Sequence, residues 1–281
     1  MARTSQNMVT VIIPARNESY LNRTVKDVLE KATGAVEVIV VLDGYDTDRI
    51  EGVTYIHNPE SIGMRASIVK AVAQAKGDFL MKLDAHCIVD KGFDVKLAES
   101  CQDNMVVIPR RYKLDADNWR PAKEYIDYEH FIYPLKFGPV SLHGFKSKVR
   151  PIERQGIMID DRLTFQGSCW FMKYSHFEKH KFLQDPGYQG LPHQEAEEIG
   201  LTTWLNGGRV VTNKNTWYAH LFKGEKHGRG YRVDNYTARQ CYAYSYNKWV
   251  NENKEGFIKL IEKFEPIEGW SEHWRQKLWT Q

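Results

Sequence analysis

The run Asp78-Phe79-Leu80-Met81-Lys82-Leu83-Asp84-Ala85-His86-Cys87 puts an Asp-x-His pair at the end of an apolar stretch. That stretch reads as a buried strand, and in an open α/β sheet the carboxyl ends of strands face the ligand crevice. Asp84 and His86 can therefore be aimed at one ion. A carboxylate oxygen beside an imidazole nitrogen suits Mn²⁺, with Mg²⁺ as the other choice, whereas Ca²⁺ takes nearly all its ligands as oxygen. A divalent cation held there would in turn hold a diphosphate. A solvated loop after a strand has the same appearance, so the pair gains weight only from its surroundings.

Two more polar strand ends supply those surroundings. Met8-Val9-Thr10-Val11-Ile12-Ile13 runs into the turn Pro14-Ala15-Arg16-Asn17-Glu18, and Val36-Glu37-Val38-Ile39-Val40-Val41-Leu42 ends at Asp43. Together with Asp84 they outline a nucleotide crevice, with regions for the base, the ribose and the metal-bound phosphates.

The elements that position these residues follow from periodicity. The two apolar runs read as strands buried on both faces. A helix is expected from about Ser19, with Leu21, Val25, Val28 and Leu29 on one face and Gly34 as its terminator. A shorter strand over Val53–Ile56, a helix over Met64–Lys76 closed by Gly77, and the strand carrying Asp84 complete a β-α-β-β-α-β order. That order predicts a mostly parallel central sheet with right-handed crossovers. Met105–Pro109 reads as another strand. Residues 110–160, rich in Tyr, Lys and Arg at irregular spacing, are expected to form long loops. A strand over Leu163–Met172, a helix over Gln194–Asn206 ended by Gly207-Gly208, and a strand beginning Arg209–Thr212 follow. From Asp234 onward the pattern is helical and aromatic. The expected organisation is a nucleotide-binding domain over residues 1–230 with a C-terminal helical extension, residues 231–281, packed on it.

The chain of 281 residues, 42% hydrophobic and 12% aromatic, is long enough for a sizeable core and excludes a disordered class. No stretch approaches the roughly 18 apolar residues of a membrane span, and the first residues lack a secretory apolar region. The expectation is a soluble, cytoplasmic protein. Cys87, Cys101, Cys169 and Cys241 are spaced like neither a zinc site nor a disulfide scaffold and are expected to be free thiols. A net charge of +3 selects no partner.

The residues also carry a resemblance. Asn17-Glu18 followed by Arg23-Thr24-Val25 and Val28-Leu29, then Gly63-Met64-Arg65, Leu83–Cys87, Val106–Pro109, Glu195 with Glu198, Trp204, Gly207-Gly208 and Ala219-His220-Leu221-Phe222-Lys223 resemble family 2-type glycosyltransferases of the GT-A fold. The likeness spans roughly residues 8–225 and is strongest to the catalytic domain of the polypeptide N-acetylgalactosaminyltransferases. It implies a Rossmann-like α/β sheet flanked by helices and a metal held by Asp84, His86 and His220. It also implies a UDP-sugar donor whose base and ribose lie against Pro14, Ala15, Arg16, Glu18 and Asp43, with Gly63 and Arg65 near the diphosphate or sugar. Glu195 and Glu198 begin a helix, where acids also complement the helix dipole. The resemblance gives them catalytic roles, with Arg65 beside them. In inverting relatives an acid here is the general base, whereas in the retaining branch it contacts the sugar. The implied outcome is retention, with the leaving phosphate helping to deprotonate the acceptor. Leu191-Pro192-His193-Gln194 replaces the family's Trp-Gly-Gly, so the identity of the sugar is not carried over. The anchor and lectin domain of the animal enzymes are not seen in the sequence, which points to a bacterial or phage enzyme.

Acceptor signals are basic stretches. Lys136, His143, Lys146, Lys148, Arg150 and Arg154 are interleaved with Phe137 and Phe145, a mixture that suits nucleic acid, with a hydroxymethylated base in phage DNA as the acceptor. A protein Ser/Thr or a glycan hydroxyl is the alternative. Lys223, Lys226, His227, Arg229 and Arg232 lie among glycines, and this stretch reads as a loop in which Lys223 and Arg229 close over the diphosphate. The C-terminal Trp249, Trp270, Trp274 and Trp279 and the tyrosines before them are expected to be packed, not to face a membrane. Two competing functions stand beside glycosyl transfer: a nucleotidyltransferase, and a non-catalytic nucleic-acid or carbohydrate binding module.

Overall fold

Alternation of side chains decides the central layer. In strand β1 (Val9–Ala15), Val9, Val11 and Ile13 enter one apolar cluster while Ile12 enters another. In β2 (Val36–Asp43), Val38, Val40 and Leu42 part in the same way from Ile39 and Val41. Both faces are covered, which is why these strands read as mostly apolar runs. The computed structural model describes residues 7–132, 142–188, 193–223, 227–228 and 235–278.

β1 lies between β2 and β4 (Phe79–Leu83), parallel to both, and β3 (Thr54–Asn58) adds in parallel beyond β2. Helices α1 (Leu21–Lys31) and α2 (Met64–Val72) flank this half, β5 (Cys87–Val89) follows β4 closely, and α3 (Phe93–Ser100) packs against the strands Met105–Asp115 and Arg209–His220. The sheet continues on the other side of β4 with β11 (Cys169–Lys173), antiparallel to both β4 and β6 (Met105–Asp115). Next comes β12 (Arg209–His220), parallel to β6, with β10 (Ile159–Asp161) antiparallel at its edge. β5 also pairs with β12, and β7 (Arg120–Ile126) with β6, giving a sheet of ten strands among the described residues. β8 (Glu129–Phe131) and β9 (Gly144–Lys146) form a separate two-stranded ribbon. The mostly parallel α/β sheet flanked by helices is as expected; β11 is the inverted strand at its centre.

Several boundaries differ from the sequence reading. Residues 110–160 hold the β6–β7 hairpin, the ribbon and β10 instead of long loops. β7 has no buried residue, so no apolar alternation announced it. The strand expected over Leu163–Met172 shrinks to β11. β12 extends to His220 through the polar run Asn213–Thr216, where its pairing with β6 shifts register.

The helices Asn235–Tyr246, Lys254–Phe264 and Trp274–Lys277, with the helical segment Asn247–Glu252 between the first two, bring Trp249, Phe257, Ile261 and Trp274 against Leu201, Phe131, Leu142 and Leu163. The short helices α4 (Arg150–Glu153) and α5 (Tyr174–His180) precede α6 (Glu195–Leu205); these aromatics pack beneath α6 and the ribbon, and Trp279 lies outside the described residues. No helix among the described residues is long and apolar enough to cross a membrane. All four cysteines are buried free thiols.

Candidate active site

Two strand pairings assemble the site. β4 ends at Leu83, and the next residue, Asp84, donates its N–H to Ser168 O at 2.8 Å. β5 pairs with β12 so that Cys87 faces His220, and Leu221 N–H bonds back to His86 O at 3.1 Å. Asp84, His86 and His220 are thereby brought together, each offering one ligand atom within 4.8 Å of the others. Their separations are 3.1 Å between the two Nε2 atoms, 3.3 Å from Asp84 Oδ2 to His220 Nε2 and 3.8 Å from Asp84 Oδ2 to His86 Nε2. Adjacent ligands of an octahedral ion with bonds of roughly 2.1 Å stand about 3 Å apart, so the three atoms fit one face of such a shell.

The protonation states agree with that fit. Burial drives His220 down to about 4, so its ring is neutral at physiological pH; its Nδ1 is buried without a hydrogen-bond partner and only Nε2 meets the other ligands. Burial alone would raise Asp84, but Lys82 and the two histidines override it and hold the carboxylate ionised. His86 Nδ1 lies 3.0 Å from Glu18 Oε2, and donation of its N–H there leaves Nε2 as the lone pair. Such a carboxylate–histidine relay orients metal ligands. Glu18 is held ionised against its burial by His86 and Lys223, and Lys223 Nζ is its ion-pair partner.

Behind Asp84 lies a residue the sequence reading missed. Lys82, within β4 and 1% exposed, donates to Asp84 Oδ1 at 2.7 Å and to Gly167 O at 2.5 Å and stands 3.5 Å from Glu195 Oε2. The available signal was a lysine inside an otherwise apolar strand, which is seldom fully buried unless paired. Burial would discharge it; Asp84 and Glu195 keep it charged. Glu195, at the start of α6, also accepts from Trp170 Nε1 at 2.7 Å. A Cβ on Gly167 would come within 2.9 Å of Glu195 Oε2, so a glycine there leaves room for the carboxylate.

Other expected residues are placed differently. Arg65 is buried, ion-paired to Glu198, bonded to His193 O at 2.9 Å and stacked 4.4 Å above the Tyr188 ring. Glu198 also accepts from Leu183 N–H at 2.9 Å. Arg65 and Glu198 thus form a buried ion pair. Asp43 is held by the loop that follows its strand. Its carboxylate accepts from Asn58 Nδ2 at 3.1 Å, Ser61 Oγ at 2.6 Å, Ile62 N at 2.8 Å and Gly63 N at 3.0 Å. Those four donors occupy much of a carboxylate's acceptor capacity, and through them Asp43 organises the loop leading to α2. Gly63 serves that loop at φ 86°, which an L side chain resists. Pro14 and Ala15 lie within β1, and Arg16 is exposed just beyond its carboxyl end. Arg229, Lys226 and Arg232 lie outside the described residues, as do Lys136, Phe137, Leu191 and Pro192. In the first basic stretch, Arg150 and Arg154 turn to Asp160, at 3.7 and 2.8 Å, which spends much of their charge.

Beside the metal-ligand cluster, a groove of about 660 Å³ runs between the β6–β7 hairpin and residues Leu221–Lys223. Its rim includes Lys113, Lys123, Phe222 and His227. His227 Nδ1 is 3.2 Å from Tyr20 OH, and the Tyr20 ring stacks on Trp119.

An open α/β sheet with an Asp-x-His pair at a strand end, completed by a histidine from a distant strand, is a GT-A architecture. A family model for glycosyl transferase family 2 matches residues 10–180, and the chain belongs to that family. A Drosophila melanogaster protein named "Putative polypeptide N-acetylgalactosaminyltransferase 13" is 23% identical over 287 aligned residues, 90% of this chain and 50% of the relative. The crystal structure of GalNAc-T7 with UDP, GalNAc and Mn²⁺ superposes with a TM-score of 0.70 at 17% identity, covering 96% of this chain and 54% of that one. The chain thus spans about half the length of both relatives.

Proposed function

We propose that this protein is a metal-dependent glycosyltransferase that moves a sugar from a UDP-sugar to an acceptor hydroxyl with retention of configuration. The observation that carries this is the convergence of Asp84, His86 and His220 at the carboxyl end of β4. The presence of UDP, GalNAc and Mn²⁺ in the GalNAc-T7 structure supports the donor and the metal. When bound, Mn²⁺ or Mg²⁺ supplies Lewis-acid stabilisation of the diphosphate leaving group. The chain's own residues do the rest. Glu18 fixes the His86 tautomer, and Lys82 with Trp170 holds the Glu195 carboxylate in place. Glu195, its two oxygens already engaged, serves to contact the sugar and not to attack it, which is why retention without an enzymic nucleophile is the reading adopted.

The acceptor proposed is a hydroxymethylated base in DNA, reached along the groove beside His220. Lys113 and Lys123 suit phosphates there, and the exposed Phe222 suits a stacked base. Protein Ser/Thr and glycan hydroxyls are the comparison acceptors. Such a DNA substrate would place the enzyme in the cytoplasm of a bacterial or phage-infected cell. Residues 231–281 are proposed as an extension of the same domain, a reading supported by the packing of Trp249 and Phe257 under Leu201.

The test is a screen of UDP-sugars with Mn²⁺ for UDP release, followed by the best donor with hydroxymethylated DNA, peptide and glycan acceptors. Metal-dependent UDP release abolished by EDTA is expected. Pyrophosphate as product would instead indicate a nucleotidyltransferase. Salt-sensitive DNA binding with no turnover of any sugar nucleotide would indicate a binding module.

A further inference from the structure

We propose that Lys82 is a positioning residue that commits Asp84 to ligation through one oxygen and ties that ligand to Glu195, so that the site takes a small six-coordinate cation in preference to Ca²⁺. The inference rests on the metal-site reading above.

An ammonium has three donors. Those of Lys82 are met by Asp84 Oδ1 at 2.7 Å, Gly167 O at 2.5 Å and, at a longer 3.5 Å, Glu195 Oε2. The two oxygens of Asp84 are therefore divided. Oδ1 is on the lysine, and Oδ2 faces His220 and His86 at 3.3 and 3.8 Å. Ca²⁺ gathers six to eight oxygens at about 2.3–2.6 Å and readily takes a carboxylate through both, whereas Mg²⁺ demands a tight octahedron at about 2.0–2.1 Å. Mn²⁺ also accepts imidazole nitrogen in an octahedral shell. A carboxylate with one oxygen spent offers the second kind of shell and denies the first.

The backbone keeps the ammonium where it is. Lys82 is paired with Trp170 across the β4–β11 ladder, Leu83 with Cys169, and Asp84 N–H bonds to Ser168 O at 2.8 Å. Trp170 donates in turn to Glu195 Oε1 at 2.7 Å. Lys82 and its cross-strand partner therefore hold one oxygen each of Glu195, and the first also holds the metal ligand. A change at Lys82 should disturb cation binding and the sugar-facing acid together, which a residue serving only to fill the core would not do.

The test measures Mn²⁺ and Ca²⁺ binding to the full chain by calorimetry and electron paramagnetic resonance, in the unaltered protein, Lys82→Met and Lys82→Arg, with circular dichroism to verify folding. Lys82→Met is expected to weaken Mn²⁺ by about 10–100-fold, as outer-shell losses do, and Ca²⁺ by much less, so that the preference narrows. Lys82→Arg, which keeps charge and donors, is expected to retain most of it. Unchanged Mn²⁺ affinity and unchanged preference in folded Lys82→Met overturn the proposal. Should that variant fail to fold, a crystal structure of the unaltered protein with Mn²⁺ decides. One Asp84 oxygen on the ion and Lys82 on the other supports the proposal, and both oxygens on the ion overturn it. Mn²⁺ bound away from Asp84, His86 and His220 would overturn the metal-site reading itself, and this inference with it.

Discussion

The Nε2 atoms of His86 and His220 meet at 3.1 Å although 134 residues separate them. One ring can donate to the other at that distance, and the same approach lets both nitrogens face a shared cation once that proton is lost from Nε2. His220→Ala is expected to weaken Mn²⁺ by more than the roughly 10–100-fold that an outer-shell residue costs. UDP release from the donor should fall with it. Calorimetric titration with Mn²⁺ checks this, and wild-type affinity in the variant would remove His220 from the ligand set.

Glu18 acts one shell out. Glu18→Gln keeps the shape but loses the charge that orients His86 and pairs with Lys223. Mn²⁺ affinity should drop by about 10–100-fold while the thermal midpoint without metal moves little. An unfolded variant, or one with unchanged affinity, would mean that Glu18 is a structural acid or a donor-binding one.

Asp43 is expected to show itself in stability. Asp43→Ala leaves the backbone N–H groups of Ile62 and Gly63 without their acceptor, a loss of about 2–3 kcal/mol in urea unfolding. Burial alone would raise the Asp43 pKa, yet bonds from Ser61, Ile62, Asn58 and Gly63 hold it low. With the folded value below the unfolded one, its contribution is fully present above the ordinary carboxylate range of about 4 and lost as pH falls through the folded value. Asp43→Asn should therefore flatten the acid limb of the stability curve. If it leaves that limb intact, the carboxylate does not organise the loop.

Glu197 behaves in the opposite sense. It is buried on α6, and burial raises its carboxyl to about 8, so the folded protein keeps a proton that the unfolded chain releases near pH 4.5. The folded state binds more protons across that window, so stability falls from about pH 4.5 to about pH 8, by up to roughly 1 kcal/mol per pH unit. Glu197→Gln mimics the neutral acid and should abolish the slope without lowering stability at pH 5. Parallel wild-type and variant curves between pH 5 and 8 would show that Glu197 is ionised in the fold.

What could be read from sequence depended on whether a signal was local. Strands buried on both faces were legible because β1, β2 and β4 are apolar apart from Thr10, Glu37, Lys82 and the terminal Asp43, and the strand-end position of Asp84 followed from them. The β6–β7 hairpin was not, because β7 turns toward solvent and alternates nothing. The loop bonds of Asp43 were not legible for a physical reason: an acid at a strand end looks the same in sequence whether or not Asn58, Ser61, Ile62 and Gly63 also donate to it. Lys82 was visible as a letter and silent as a role, since its partners Gly167 and Glu195 are 85 and 113 positions away. His220 could be proposed only through resemblance. The polar run Asn213–Thr216 hid the length of β12, and nothing local says that β12 ends beside β5.

That pairing of β5 with β12 makes the site a clasp between early and late parts of the chain. A cation gripped by Asp84, His86 and His220 can be held only when β12, the last strand of the sheet among the described residues, has docked. Ligand binding confined to the native form stabilises it by mass action, about 2.7 kcal/mol at a hundred times the dissociation constant. Divalent cation in the medium would therefore act as a fastener during assembly, raising the melting temperature and slowing the departure of β12 before any sugar nucleotide arrives.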